Sequence, residues 1–147
     1  MVNFKFALVK NAPENARLPK RSTIGSAGYD FVSPETFTLQ PGEKHMVWTG
    51  VKAYMLENFV LLAFIRSSMG VKRSLALANG TMVIDRDYAD NPDNDGNIGI
   101  CLYNYGPEPQ TINKGDRIAQ GLFVPIFITD DDDTTTERVG GYGSTGR

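Results

Sequence analysis

One cysteine, Cys101, and one histidine, His45, stand in 147 residues. A lone cysteine excludes an internal disulfide and any multi-cysteine zinc site. A lone histidine excludes poly-histidine metal centres and HExxH chemistry. Both residues read as structural, Cys101 as a small hydrophobe and His45 as a side chain without a partner of its own kind. No apolar run approaches the roughly 20 residues that a membrane-spanning helix needs. Positive charge is not in excess: 15 Lys and Arg face 17 Asp and Glu, for a net charge of −2, which argues against a basic nucleic-acid footprint. No amphipathic helix longer than about ten residues and no fixed-period repeat is visible. Met1 to Lys10 alternates apolar and polar residues, so no secretory leader is expected and a cytoplasmic location is.

What is present is turn chemistry. Fifteen glycines and eight prolines in a short chain imply many short strands, hence an all-β barrel or sandwich. Strands are expected around Phe4 to Leu8, over Thr36 to Leu39, over His45 to Val51 and over Phe59 to Ile65, the last apolar throughout and so buried. Pro41-Gly42 marks a turn. Ser67 to Arg73 lacks a strand pattern and reads as a short helix or turn. Leu75 to Asp85 is β-rich and broken at Asn79-Gly80, a hairpin signal because both residues tolerate positive φ. Ile98 to Tyr103 and Ile118 to Ile128 read as further strands. The composition changes after residue 129. Asp130 to Asp133 is an acidic run that stays solvated, and the glycine-rich end beyond it has little to bury. One β domain over 1–129 and a flexible arm over 130–147 are expected, the arm ordering on an anionic ligand.

Three segments carry chemistry. In the arm, glycines let backbone N–H groups converge on an anion, and Arg138, Ser144 and Thr145 add donors. No helix can follow there, so this is not a Walker loop. Arg66-Ser67-Ser68-Met69-Gly70 follows a buried strand and holds the components of a phosphate cradle, although the same residues also suit an ordinary polar turn. In the third segment, Asn79 offers both donor and acceptor to an amide-like base edge. Asp85 ends an apolar strand as a candidate general base, and Tyr88 supplies a flat face. Asn91, Asp93, Asp95 and Gly96 imitate the start of a calcium loop, but position 12 would be Leu102 in place of the required Glu, and a solvated turn is the better reading.

The order of these segments is more specific than any one of them. Ala27-Gly-Tyr-Asp30, Arg66-Ser-Ser-x-Gly70, Asn79…Ile-Asp85-x-Asp-Tyr88, Lys114-Gly-Asp-Arg-Ile-Ala-Gln120 and Arg138-x-Gly-Gly-Tyr-Gly-Ser-Thr-Gly146 resemble the five ordered motifs of the trimeric dUTP pyrophosphatase (dUTPase) family, bacterial or phage type. The resemblance runs from about Ala27 to the C-terminus. It implies a jelly-roll-like, β-clip type fold and a homotrimer with active sites at subunit interfaces. It also implies Mg²⁺-dependent hydrolysis of dUTP to dUMP and pyrophosphate. By the same resemblance Asp85 activates the attacking water, and Tyr88 packs on the deoxyribose. Asn79 and backbone near Val83 read uracil. Arg66, Ser67, Ser68 and Gly70 form the phosphate motif, and Gln120 lies near the phosphate chain. Asp30 reaches Mg²⁺ through water, the ion being bound mainly by the substrate phosphates. Arg138, Gly143, Ser144 and Thr145 grip the γ-phosphate, and Tyr142 stacks over uracil.

Two departures stand out. Met82 replaces the family's usual Gly, where close backbone approach to a ligand is served by the absence of a side chain. Asp90 to Gly96 resembles an insertion. Both could serve a protein partner, so a regulatory binding protein on the same scaffold, with weak or no catalysis, is the competing function. A dCTP deaminase of the same superfamily is disfavoured by Asp85-x-Asp-Tyr and the complete glycine-rich end.

Overall fold

The computed structural model describes residues 3–143. Among these residues eleven strands, one short helix and one 3₁₀ turn occur. The strands are β1 (Lys5–Leu8), β2 (Tyr29–Val32), β3 (Phe37–Leu39), β4 (Lys44–Trp48), β5 (Val51–Tyr54), β6 (Phe59–Ile65), β7 (Leu75–Leu77), β8 (Met82–Ile84), β9 (Gly99–Asn104), β10 (Gln110–Ile112) and β11 (Arg117–Pro125). Helix α1 (Ser67–Arg73) joins β6 to β7, and the 3₁₀ turn spans Arg86–Tyr88. All strand pairs are antiparallel. They form a four-stranded sheet β2-β11-β6-β8, a three-stranded sheet β4-β9-β7, and the pairs β1-β5 and β10-β3. This is the predominantly antiparallel β architecture that the sequence led us to expect.

The apolar run 59–65 becomes β6, an interior strand of the larger sheet between β11 and β8. Leu61 and Ala63 are fully buried and pack with Phe31, Ile118 and Ala119 in the core. Strand β1 and Phe4 just before it close one side of this sheet with aromatic rings: Phe6 meets Phe31 edge-on at 5.6 Å, and Phe4 meets Phe59 at 4.9 Å. Edge-to-face pairs of this kind add to the burial of apolar area. The turn at Pro41-Gly42 forms as expected, with Gly42 at φ 80° and the Glu43 amide donating to the Gln40 carbonyl at 3.0 Å. His45 stacks on Phe37 at 4.0 Å and lies 2.8 Å from a Glu35 carboxylate oxygen.

Two expectations are corrected. Residues 45–51 are not one strand. Gly50 adopts φ 74° between β4 and β5, its amide donates to Asn97 Oδ1 and the buried Thr49 hydroxyl donates to the Ile98 carbonyl. A Cβ at Gly50 would lie 2.7 Å from Pro13, so only glycine passes the chain from one sheet to the other. Nor do the strands flanking Asn79-Gly80 form a hairpin with each other. Strand β7 pairs with β9, whereas β8 pairs with β6. The turn is real, with Gly80 at φ 75°. Each arm, however, carries its own buried pair, Leu75 and Leu77 or Met82 and Ile84. Pairing in separate sheets buries both sets.

Candidate active site

Strand β8 alternates, with Met82 and Ile84 turned to the core and Val83 exposed. The chain then leaves the sheet at Asp85, in an extended conformation, and coils through the 3₁₀ turn, where the Tyr88 amide donates to the Asp85 carbonyl at 3.1 Å. This sharp turn brings a carboxylate and an aromatic ring to the mouth of one pocket of about 380 Å³. Asn79, Val83, Asp85, Tyr88, Arg138, Tyr142 and Gly143 all line it. Thr81, Ile84, Ile98 and Gly99 also line it and were not singled out from the sequence. Their only signal is adjacency to the motif or to the strand that faces it. Met82 lines the pocket too, yet its residue is only 5% exposed, so most of its side chain belongs to the core.

The C-terminal segment seats on this pocket. Arg138, with its side chain only 7% exposed, donates from Nη2 to Asp85 Oδ2 at 2.6 Å and from Nε to Asp87 Oδ1 at 2.8 Å. Its guanidinium lies 5.7 Å from the centre of the Tyr88 ring. Both carboxylates are about half exposed while the guanidinium they hold is buried, so water screens these pairs from the carboxylate side only. Asp87 stands within the third motif, although no role for it was legible in the sequence. Tyr142 meets Trp48 edge-on at 6.4 Å. Ser144 and Thr145 lie outside the described residues.

Tyr88 is held on two sides. Its hydroxyl donates to the Asn97 carbonyl at 2.8 Å and accepts from Asn94 Nδ2 at 2.8 Å. Burial pushes the phenol pKa up, and the Asn94 bond and the nearby Arg138 charge partly oppose that. The segment 89–97 that supplies these partners is folded inward. The Lys52 ammonium, 9% exposed, donates to Asp90 at 2.5 Å and to Asp95 at 3.0 Å, and the Tyr54 hydroxyl donates to Asp90 at 2.8 Å.

A second cluster lies elsewhere. Asp30 on β2 is 9% exposed and receives Arg66 Nε at 2.9 Å, Ser22 Oγ at 2.7 Å and Arg117 Nη1 at 3.4 Å. Gln120 sits directly across the β2–β11 ladder from Asp30. Gly28 is tight against it, since a Cβ there would stand 2.6 Å from Gln120 Oε1. Ser67, Ser68 and Gly70 follow Arg66 on α1, whose first turn closes on the Arg66 carbonyl through the Met69 and Gly70 amides. Ser22 and Arg117 were not identified as site candidates. Arg117 was legible as part of the fourth motif, while Ser22 carries no sequence signal.

One chain does not bring the two clusters together. In the β6–β8 ladder Ile84 faces Leu61 and Met82 faces Ala63. Asp85 therefore leaves the sheet near Val60, and Arg66 leaves it beyond the opposite end of β6. Six residues of extended chain separate the two levels, roughly 20 Å at about 3.3 Å per residue.

Among the described residues no three of His, Cys, Asp and Glu come close enough to hold a metal ion. Both oxygens of Asp30 are already engaged by cationic or hydroxyl donors. A directly ligated resident Mg²⁺ does not fit these residues. Mg²⁺ fits as the companion of a polyphosphate substrate. No helix among the described residues is long and apolar enough to cross a membrane.

A family model for dUTPase matches residues 14–146. The chain is 46% identical over 139 residues to the deoxyuridine 5'-triphosphate nucleotidohydrolase of Lactococcus lactis, covering 93% of this chain and 91% of the relative. The crystal structure of dUTPase from Streptococcus mutans superposes with a TM-score of 0.80 at 39% identity, over 86% of this chain and 98% of that one. The dUTPase from phage phi11 of S. aureus, a structure described as visualising a species-specific insert, superposes with a TM-score of 0.74 at 28% identity, over 92% of this chain and 97% of that one. The chain belongs to the dUTPase family. It is an enzyme, a hydrolase of nucleotide metabolism.

Proposed function

We propose that the protein hydrolyses dUTP to dUMP and pyrophosphate by attack of water on the α-phosphorus. That reaction keeps uracil out of DNA and supplies dUMP for thymidylate synthesis. The observation that carries this reading is Asp85 at the mouth of a pocket whose wall holds Asn79, Val83 and Tyr88 and whose cover holds Arg138. The 5-substituent-free pyrimidine enters along the exposed backbone of β8, where Asn79 and the peptide groups near Val83 offer complementary donors and acceptors. Tyr88 is the wall of the sugar subsite and leaves no room for a 2′-hydroxyl. Asp85 accepts a proton from the attacking water, a contribution of about 10²–10⁴-fold for a well-placed base.

The triphosphate arrives with its Mg²⁺. It displaces the Arg138 guanidinium from Asp85 and Asp87, which frees the carboxylate as base and leaves the cation to neutralise phosphate charge. Gly143, Ser144 and Thr145 add donors in the same arm, and Tyr142 closes over the base. Asp30 keeps Arg66 aimed and contacts Mg²⁺-bound water at most through its outer shell. Arg66, Ser67, Ser68, Gly70 and Gln120 supply the phosphate cradle of a neighbouring subunit's site. The roughly 20 Å between Arg66 and Asp85 within one chain supports sites shared between subunits, and the family resemblance makes the assembly a homotrimer.

The regulatory alternative rests on Met82, which is buried, and on the insertion, whose Asn91 is buried while Asp90, Pro92 and Asp93 are exposed. The test is a product assay of dUTP with Mg²⁺, with UTP, dTTP and dCTP in parallel. The expected outcome is dUMP and pyrophosphate from dUTP alone, from a species of three-chain mass. Turnover of UTP or dTTP at a comparable rate, or no turnover of any nucleotide, overturns it.

A further inference from the structure

The segment 89–97 is tied to the pocket by specific bonds. Asn94 is central. Its Nδ2 donates to the Tyr88 hydroxyl at 2.8 Å, while its Oδ1 accepts from Asn91 Nδ2 at 2.7 Å and from the Gly96 amide at 3.1 Å. Asn91, 6% exposed, in turn donates to the Tyr88 carbonyl and accepts the amides of Asp93 and Asn94. The loop closes on itself because Gly96, at φ 83°, approaches Ala89 so closely that a Cβ would stand 2.7 Å from its Cα. Lys52, Tyr54 and the Lys10 amide hold its outer carboxylates, Asp90 and Asp95. The same loop receives the arm: the Gly141 amide donates to Asp93 Oδ2 at 2.7 Å.

From this geometry we infer that Asn94 is a positioning residue for sugar selection: it fixes the Tyr88 ring as the wall that separates deoxyribose from ribose. This rests on the proposed dUTP reading. Core packing holds the Tyr88 ring, and the Asn97 carbonyl anchors its hydroxyl from one side only. A second bond from the opposite side fixes it, and preorganisation is what makes a wall exclude an added hydroxyl. The insertion thus contributes to catalytic specificity without touching the reacting atoms.

The test compares kcat/KM for UTP and dUTP in the wild type, Asn94→Asp, Tyr88→Phe and the double variant, with melting temperatures as a check of folding. Asn94→Asp keeps the oxygen that closes the loop and removes the donor to Tyr88, but its second oxygen can accept from the Tyr88 hydroxyl, so Asn94→Ser, which lacks the amide altogether, is measured beside it. The expected result is a five- to tenfold rise in the UTP-to-dUTP ratio, about the net value of one hydrogen bond. No further rise is expected when Asn94→Asp is added to Tyr88→Phe. A ratio within about twofold of the wild type, or an equal rise in the Tyr88→Phe background, overturns the inference. Asn94→Ser is read by the same criteria and decides where it and Asn94→Asp differ. A wild type that leaves dUTP intact overturns the functional reading and this inference together. A wild type that hydrolyses dUTP and excludes UTP, with an unchanged ratio in the Asn94 variant, overturns this inference alone.

Discussion

Two arginines sit at opposite ends of the β6–β8 ladder, and their counter-ions differ. Arg66 is held by Asp30, whose side chain is only 10% exposed and is braced by Ser22 and Arg117. Arg138 is held by Asp85 and Asp87, each about half exposed. Low local dielectric makes the first pair costly to break, since a carboxylate left alone there has no water to replace its partner. In the second pair only the carboxylates are screened, because the Arg138 side chain is itself 7% exposed and leaves them only when another anion takes their place. One arginine is therefore built into the scaffold, and the other can trade a carboxylate for a phosphate. That contrast suits a site whose cradle is rigid and whose cover moves.

The largest effect expected is from removing the proposed base. Asp85→Asn keeps the shape and loses the proton acceptor, and steady-state assay should show a fall of about 10²–10⁴-fold in kcat. On the proposal that Arg66 serves a neighbour's site, co-refolding Asp85→Asn with Arg66→Ala should restore about a quarter of wild-type activity by random assembly of a symmetric oligomer. No restoration would place both residues in one site of one chain and break the comparison.

Asp30→Asn comes next. It leaves Arg66 without its buried anion and should lower kcat/KM about 10²-fold through misplacement of the cradle. The melting temperature should fall as well. An unchanged melting temperature with lost activity would instead mark Asp30 as a direct contact to the substrate's metal. Arg138→Lys should act less strongly, raising KM about tenfold without altering stability, because an ammonium keeps the charge and loses the fork that reaches two acceptors.

The smallest effect is on the insertion. The hydrogen bond from Lys52 holds the Asp90 carboxyl below its ordinary range against the opposing effect of burial, and the Lys10 amide followed by Lys52 does the same for Asp95. Depressed carboxylates stabilise the fold above their unfolded pKa, near 4, and that contribution is lost as pH falls through the lower folded values. Burial pulls the Lys52 ammonium down, but its bonds to Asp90, Asp95 and Tyr54 outweigh this and raise it. Its contribution is complete below about pH 10 and is lost only at stronger alkali. Thermal melts should therefore show a plateau from about pH 5 to 9 and a shoulder of decline below about pH 4. Lys52→Met should lower the melting temperature by a few degrees at pH 7 and flatten that acid shoulder.

Much of the fold was legible where one physical rule acted alone. The continuous apolar run 59–65 is β6 end to end, and the loss of strand pattern at Ser67 is where α1 begins. Strand β2 was missed because Asp30 stands inside it, buried by ion pairing rather than by hydrophobicity. Strand β10 was missed because it is three residues long and buries only Ile112 fully. The acidic insertion reads as a solvated turn, and it is instead tied down by Lys52, a partner 38 residues from Asp90.

The sequence by itself determined the all-β class, the ordered motifs and the types of group available: one carboxylate after an apolar strand, arginines beside hydroxyls, a glycine-rich end. These are local properties of composition and spacing. Only the tertiary structure decided which strand pairs with which, and so separated Arg66 from Asp85 and led the arms around Asn79-Gly80 into different sheets. It also decided that Arg138 rests on Asp85 and that Asn94 reaches Tyr88. Those outcomes depend on competing burials summed over the whole chain, and no window of residues contains them.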